Sequence, residues 1–242
     1  MLEKLFSLKK NKDTSCAAVL VAAGSASRMQ GTDKIFAPVG REPLIAHTIR
    51  AFEESPSIRE IVVVTRQDLV APMTELCKKM EAGKVRAVVP GGTSRPESVQ
   101  LGLDAVDPNT PLVAIHDGAR PFVTTQIIEQ TIAKARQYHA AAPAVPVKDT
   151  IKKAKSHIVT ETPDRTELFA VQTPQIFDFD LLRAALQQAL EKQLPITDDC
   201  SAVEALGMSV YLTPGSDENI KITTPTDLIL AEAIDQRRRR ES

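Results

Sequence analysis

Two rhythms of apolar residues alternate along this chain. One is short and unbroken or period-two, as in Cys16, Ala17, Ala18, Val19, Leu20, Val21, Ala22 and Ala23, and predicts strands over 16–23, 60–65, 85–89 and 112–116. The other places apolar residues three and four apart and predicts helices over 43–55, 69–81, 94–106 and 125–139. The last of these carries Ile127, Ile128, Thr131, Ile132 and Ala135 on one face. Leu181, Leu182, Ala185, Leu186, Ala189 and Leu190 repeat the helical spacing later, and both faces are expected to lie against a sheet. Strand and helix in regular alternation imply an α/β fold with a mostly parallel central sheet flanked by helices. A run with no polar face, such as the first, marks an interior parallel strand.

Local signals agree with this frame. Ser94-Arg95-Pro96-Glu97 has the form of a capping box, and Thr224-Pro225-Thr226-Asp227 offers an N-cap, a first-turn proline and an acid. Between 146 and 174 the rhythm breaks. The stretch 148–172 is charged and Thr-rich, with β-branched pairs such as Ile158-Val159, which suits a protruding arm. An arm that cannot bury itself on its own domain finds a neighbour, so a homodimer formed through it is expected. The expected organisation is a lead-in over 1–14, one domain over 15–235 with the arm inserted, and a basic, solvated tail over 236–242.

Composition narrows the classes. With 43% hydrophobic and 25% charged residues in 242, the chain is long enough for a sizeable core. A formal net charge of -1 gives no long-range attraction to nucleic acid, and the Arg237–Arg240 run has no interleaved aromatics, so no nucleic-acid partner is expected. No run approaches the roughly 20 apolar residues of a spanning helix, and the first residues lack a signal-peptide pattern, so no membrane association is expected. The three cysteines, Cys16, Cys77 and Cys200, lie far apart without metal-ligand spacing, consistent with a reduced, cytoplasmic setting and no zinc.

Ligands of open α/β sheets bind outside the carboxyl ends of the strands. After the first predicted strand come Gly24, Arg28 and Lys34; after the third, Gly91-Gly92-Thr93-Ser94-Arg95; after the fourth, His116-Asp117-Gly118-Ala119-Arg120-Pro121. Glycine and small residues let backbone approach a phosphate or a flat base, lysine and arginine add fixed positive charge, and an Asp at a strand end can ligate a divalent cation. The first loop matches neither G-x-x-x-x-G-K-[ST] nor G-x-G-x-x-G. Taken singly, each feature also has an ordinary reading: Gly91-Gly92 as a turn, Asp117 as a cap, Arg120 as a surface ion pair. His116 reads as a packed or positioned histidine. His47, His139 and His157 receive no role. Asp198 and Asp199 read as caps of a helix over 201–206 rather than a metal pair. Lys221, in Asn-Ile-Lys-Ile-Thr, reads as a charge aimed at phosphate from a short strand.

As a set, these stretches resemble the 2-C-methyl-D-erythritol 4-phosphate cytidylyltransferases of the non-mevalonate isoprenoid pathway. The matching segments also include Pro146-Val147-Lys148-Asp149-Thr150, Gln172-Thr173-Pro174-Gln175 and Thr197-Asp198-Asp199. The resemblance implies a Rossmann-like nucleotidyltransferase fold with a β-arm that embraces a second subunit. It also implies transfer of CMP from CTP to methylerythritol 4-phosphate with release of pyrophosphate. Ala22, Ala23, Gly24, Gly92, Thr93, Ser98 and Gly118 would line the nucleoside, with Arg28 and Lys34 on the triphosphate. Asp117, Thr173 and Lys221 would face the acceptor and the reacting phosphates. Arg120, Thr150 and Arg165 would hold the acceptor's phosphate, some across the dimer. Two departures stand out: the first loop lacks the family's second glycine and the proline before its lysine, and Thr93 replaces an acid.

The chemistry suggested by the charges is independent of the resemblance. A phosphate monoester is already an ionised nucleophile near neutral pH, so two polyanions must be brought together, and fixed cations with Mg²⁺ matter more than a general base. Arg28, Lys34 and Lys221 are the candidates for that task, with Asp117 as the one candidate magnesium ligand. Two other readings remain: a cytidylyltransferase for another polyol phosphate such as ribitol 5-phosphate, and a non-catalytic nucleotide-binding module.

Overall fold

The computed structural model describes residues 15–24 and 34–241. The lead-in 1–14 and most of the first loop, with Arg28, lie outside the described residues. The chain enters through β1 (Cys16–Ala22) and, after the loop, forms a small hairpin of β2 (Pro38–Val39) and β3 (Glu42–Pro43). Then come α1 (Leu44–Glu53), β4 (Ile58–Thr65), α2 (Val70–Lys79), β5 (Val85–Pro90), α3 (Arg95–Asp104), β6 (Leu112–Asp117) and α4 (Thr125–Tyr138). The second half contains β7 (Ala140–Pro146), β8 (Lys153–Lys155), β9 (Ile158–Glu161), β10 (Phe169–Val171) and β11 (Gln175–Asp178). It ends with α5 (Phe179–Glu191), α6 (Asp199–Glu204), β12 (Tyr211–Pro214) and α7 (Pro225–Glu241).

β1 is an interior strand of the sheet, and both of its faces are buried. Cys16, Ala18, Leu20 and Ala22 point into one apolar layer, with Ile45 and Ile49 of α1 and Ile128 and Ile132 of α4. Ala17 and Val19 point into the other, with Val99 and Leu103 of α3 and Leu182 and Leu186 of α5. Period-two alternation thus feeds two layers at once, which is why this strand reads as a continuous apolar run. Its neighbours on both sides are parallel, with Val19 opposite Val62 of β4 and Ile115 of β6. The strand order is β10-β7-β11-β6-β1-β4-β5, with β12 beside β7. The chain therefore moves outward from β1 to β4 and β5, then returns to place β6 on β1's other side. That reversal opens a crevice at the carboxyl ends of β1 and β6.

Three expectations change. The run Arg237–Arg240 is largely exposed, as expected, but it is helical rather than a tail: α7 continues through it, and Arg237 and Arg238 pair with Glu218 while Arg239 pairs with Asp235. The segment predicted as an arm divides. β8 and β9 form a fully exposed antiparallel hairpin, but β10 rejoins the main sheet on β7 and Gln172 is buried. On α5, Leu190 is exposed rather than part of the buried face, which ends at Ala189.

Candidate active site

The crevice holds a cavity of about 550 Å³. One wall is the end of β1, where Ala22, Ala23 and Gly24 leave room for a ligand against backbone, and Lys34 stands after the loop. The opposite wall is the turn between β5 and α3, Gly91 to Arg95, with Ser98 one turn into the helix. Here sequence chemistry fixes the shape. Ser94 caps α3 by accepting the Glu97 N–H, but Glu97 does not complete the box. Its carboxylate instead accepts from the N–H and hydroxyl of Thr93, at 2.8 and 2.6 Å. Ser98 accepts the Gly92 N–H at 3.1 Å and donates to the Ser94 carbonyl. A Cβ on Gly91 would collide with Ala23 and with Ser98, so only glycine lets the two loops meet at the cavity floor.

The charged side is built around Asp117. Lys221 Nζ lies 2.8 Å from one of its oxygens, with Arg120 Nε 3.6 Å from the same oxygen and Arg95 Nη2 3.5 Å from the other. Burial pushes the carboxyl upward, but Lys221, Arg95 and Arg120 outweigh it and hold the pKa at about 2. Arg95 reaches a second acid, the fully buried Asp199, at 2.7 Å; burial raises that carboxyl and Arg95 opposes the rise. Behind Asp117, Thr173 accepts the Asp117 N–H at 3.1 Å and faces His116 Nδ1 at 3.0 Å, while His116 Nε2 faces the Arg120 carbonyl at 3.2 Å. A carbonyl only accepts, so Nε2 carries the proton and Nδ1 accepts from the Thr173 hydroxyl. Burial lowers the His116 pKa to about 4, keeping it neutral. His116 is the positioned histidine that its place in the strand suggested.

The candidate residues therefore separate. Ala22, Ala23, Gly24, Lys34, Gly92, Thr93, Ser98, Asp117 and Lys221 share the cavity. Gly118 does not line it; a Cβ there would come 2.9 Å from Ile45 and 3.0 Å from Ala22, so its small size serves packing under the loop. Thr173 is a buried brace for Asp117. Arg120 is mostly buried, donating to the Asn219 carbonyl at 2.7 Å. Thr150 and Arg165 are on the exposed arm outside this cavity, with Arg165 donating to the Lys148 carbonyl. Lys221 sits in extended loop, not in a strand, and is aimed by its neighbours: Ile222 N–H donates to the Ala119 carbonyl, and Lys34 reaches the Ile222 carbonyl. Asp198 is a cap, as its sequence suggested, with Ser201 completing a capping box, whereas Asp199 is the counter-ion of Arg95. Arg95, Arg66 and Gln67 line the cavity without having been assigned there. Arg95 stood in the Gly-Gly loop and was within reach of the sequence; Arg66 and Gln67 follow β4 with no accompanying signal.

A glycine-floored crevice at the switch point, facing one carboxylate ringed by cations, defines a nucleotide-handling α/β protein of the nucleotidyltransferase class. The model of the 2-C-methyl-D-erythritol 4-phosphate cytidylyltransferase family matches residues 16–237, and the chain belongs to that family. The protein so named from Desulforamulus reducens is 48% identical, with 91% of this chain and 96% of that protein covered. The one from Halalkalibacterium halodurans is 45% identical over 90% and 96%. Among solved structures, the 4-diphosphocytidyl-2C-methyl-D-erythritol synthase of Anaerococcus prevotii superposes with a TM-score of 0.84 at 33% identity, covering 92% of this chain and 96% of that one.

Proposed function

We propose that this enzyme transfers CMP from CTP to 2-C-methyl-D-erythritol 4-phosphate, forming 4-diphosphocytidyl-2-C-methyl-D-erythritol and pyrophosphate. The observation that carries the reading is the convergence of Lys34, Arg95 and Lys221 on a single cavity whose other wall is glycine and small residues. An oxygen of the acceptor's phosphate attacks the α-phosphorus of CTP, the bond to the bridging oxygen breaks, and pyrophosphate leaves with that electron pair. Lys34 and Lys221, with Arg28 of the first loop, offset the charge that grows on the equatorial and leaving oxygens. Ala22, Ala23, Gly24, Gly92, Thr93 and Ser98 seat the nucleoside. Asp117 neutralises and orients Lys221 until phosphate replaces it as partner.

Among the described residues no three His, Cys, Asp or Glu side chains converge as a metal cage. Asp117 is, among the described residues, the one carboxylate lining the cavity, and its second oxygen lies 3.5 Å from Arg95. This fits a magnesium ion that arrives on the triphosphate and takes at most one protein oxygen. Bound there, it would supply further neutralisation of the α-phosphate. The exposed hairpin with Ile158 and Val159 supports a homodimer in which Thr150 and Arg165 complete the neighbour's acceptor pocket. Three free, buried cysteines support a cytoplasmic setting, and among the described residues no helix is long and apolar enough to cross a membrane.

Pyrophosphate release, measured with CTP against a panel of polyol phosphates, tests the reading. Methylerythritol 4-phosphate is expected to be used best, with turnover lost on chelation of divalent cations. Faster turnover of ribitol 5-phosphate would overturn the acceptor, and CTP binding without turnover of any acceptor would leave only a binding module.

A further inference from the structure

Among the described residues the arginine run at the end of α7 is not part of the cavity lining, yet it reaches the loop that follows Asp117 and the loop that carries Lys221. Arg237 pairs with Glu218, and Arg238 binds the same carboxylate through Nε at 3.1 Å and Nη2 at 3.0 Å. Arg238 Nη2 also donates to the Phe122 carbonyl at 3.0 Å, and its guanidinium lies 5.2 Å from the centre of the Phe122 ring. One side chain thus spans the loop that follows Asp117 and the loop that leads into Lys221. Beneath it, Phe122, Ile222, Ala231 and Ile234 form a small apolar cluster of their own. Two further bonds join the same loops: Arg120 to the Asn219 carbonyl at 2.7 Å, and Ile222 N–H to the Ala119 carbonyl at 2.9 Å.

We propose that Arg238 and Glu218 are positioning residues for the transfer reaction. Acting as a clamp, they hold the two loops in register and so keep the Lys221 ammonium at Asp117, where the reacting phosphates meet. Glu218 is three residues before Lys221, so a shift of its carboxylate is carried directly into the loop. Lys221 is long and partly exposed, and its anchoring depends on backbone bonds rather than on packing of its own. A misplacement of about 1 Å at such a charge lowers the rate by up to about a hundredfold without removing any contact to substrate. Both partners of the clamp are only partly exposed; Arg238 meets one Glu218 oxygen through both Nε and Nη2 while Nη2 also donates to the Phe122 carbonyl, an arrangement a single ammonium cannot reproduce. The inference rests on the cytidylyltransferase reading.

Arg238→Met, Arg238→Lys and Glu218→Gln, compared with wild type in the pyrophosphate assay, test it. Arg238→Met is expected to lower kcat about tenfold while the KM for CTP stays within about twofold, because the nucleoside loops at Gly92 and Ser98 make no bond to the clamp. Arg238→Lys should recover part of the loss, and Glu218→Gln should show the same split more weakly with little change in melting temperature. Wild-type kcat in both Arg238→Met and Glu218→Gln would overturn the clamp. It would equally be overturned if kcat, both KM values and melting temperature fell together with no rescue by lysine, since that is a structural defect alone. If Arg238→Met does not fold, Glu218→Gln decides by the same criteria. Absence of turnover in wild type would instead count against the cytidylyltransferase reading.

Discussion

At the scale of single residues, the site separates charges that act on substrate from groups that hold those charges in place. Lys34 and Lys221 are amines on the cavity wall, and in the proposed reaction each offsets phosphate charge. Removing one such contact is worth on the order of 3 kcal/mol, about a hundredfold in rate. Lys34→Ala, Lys221→Ala and Arg28→Ala are therefore each expected to lower turnover at saturating CTP and Mg²⁺ by about that factor with far-ultraviolet circular dichroism unchanged. Wild-type rates in any of the three would remove that residue from the mechanism. His116 acts from behind. Its folded pKa of about 4 against an ordinary 6.5 means that the unfolded chain takes up a proton in this window which the folded chain refuses. Stability is fully present above pH 6.5 and falls as pH drops toward 4, by on the order of 3 kcal/mol in total. Melting temperatures between pH 7 and pH 4.5 should fall less steeply in His116→Gln than in wild type. Parallel slopes would show that another group governs the acid limb.

At the scale of elements, what was legible in the sequence is what a single period reports. β1, α1, α4 and α5 were readable because each has one uniform burial demand along its length, and the loops after β1, β5 and β6 followed from the rule for open sheets. Long-range pairing leaves no such trace. Asp199 looked like a cap because caps are local, while its actual partner, Arg95, is brought in by the packing of α3 against α5 and α6. The basic end of α7 looked like a tail because four like charges in succession are unfavourable in isolation; Glu218, about 20 residues away in sequence, supplies counter-charge only in the folded chain. Lys221 was found by composition, but its backbone is loop, since Ile222 bonds to Ala119 and not to a neighbouring strand. Of the segment expected as an arm, the break in rhythm marked only the exposed β8–β9 hairpin and its flanks, while the return of β10 to β7 went unread; Arg165, on one of those flanks, carries a prediction. A guanidinium binds phosphate through paired hydrogen bonds that an ammonium cannot match. Arg165→Lys should therefore raise the KM for methylerythritol phosphate at least severalfold more than the KM for CTP. A rise in the CTP KM alone would detach the arm from the acceptor.

The whole molecule poses the question that one chain cannot answer by itself. Its cavity gathers residues that follow β1, β5 and β6, yet Thr150 and Arg165 lie on the exposed segments that flank the β8–β9 hairpin, outside that cavity. Ile158 and Val159 on that hairpin are among the most exposed large apolar side chains of the described residues, a costly arrangement unless another surface covers them. If two chains exchange arms, each complete site combines the Lys34 of one subunit with the Arg165 of the other. A subunit carrying Lys34→Ala and a subunit carrying Arg165→Ala, each inactive as a homodimer, then form a hybrid with one doubly damaged site and one intact site. Random pairing makes half of the dimers hybrid, so co-expression should restore about a quarter of wild-type activity per subunit. Size-exclusion chromatography with light scattering should show the dimer in both parents, ensuring that a negative result reflects the site and not a failure to pair. If the isolated, doubly tagged hybrid is as inactive as its parents, Arg165 serves its own chain or none, and the acceptor pocket must be sought within a single subunit.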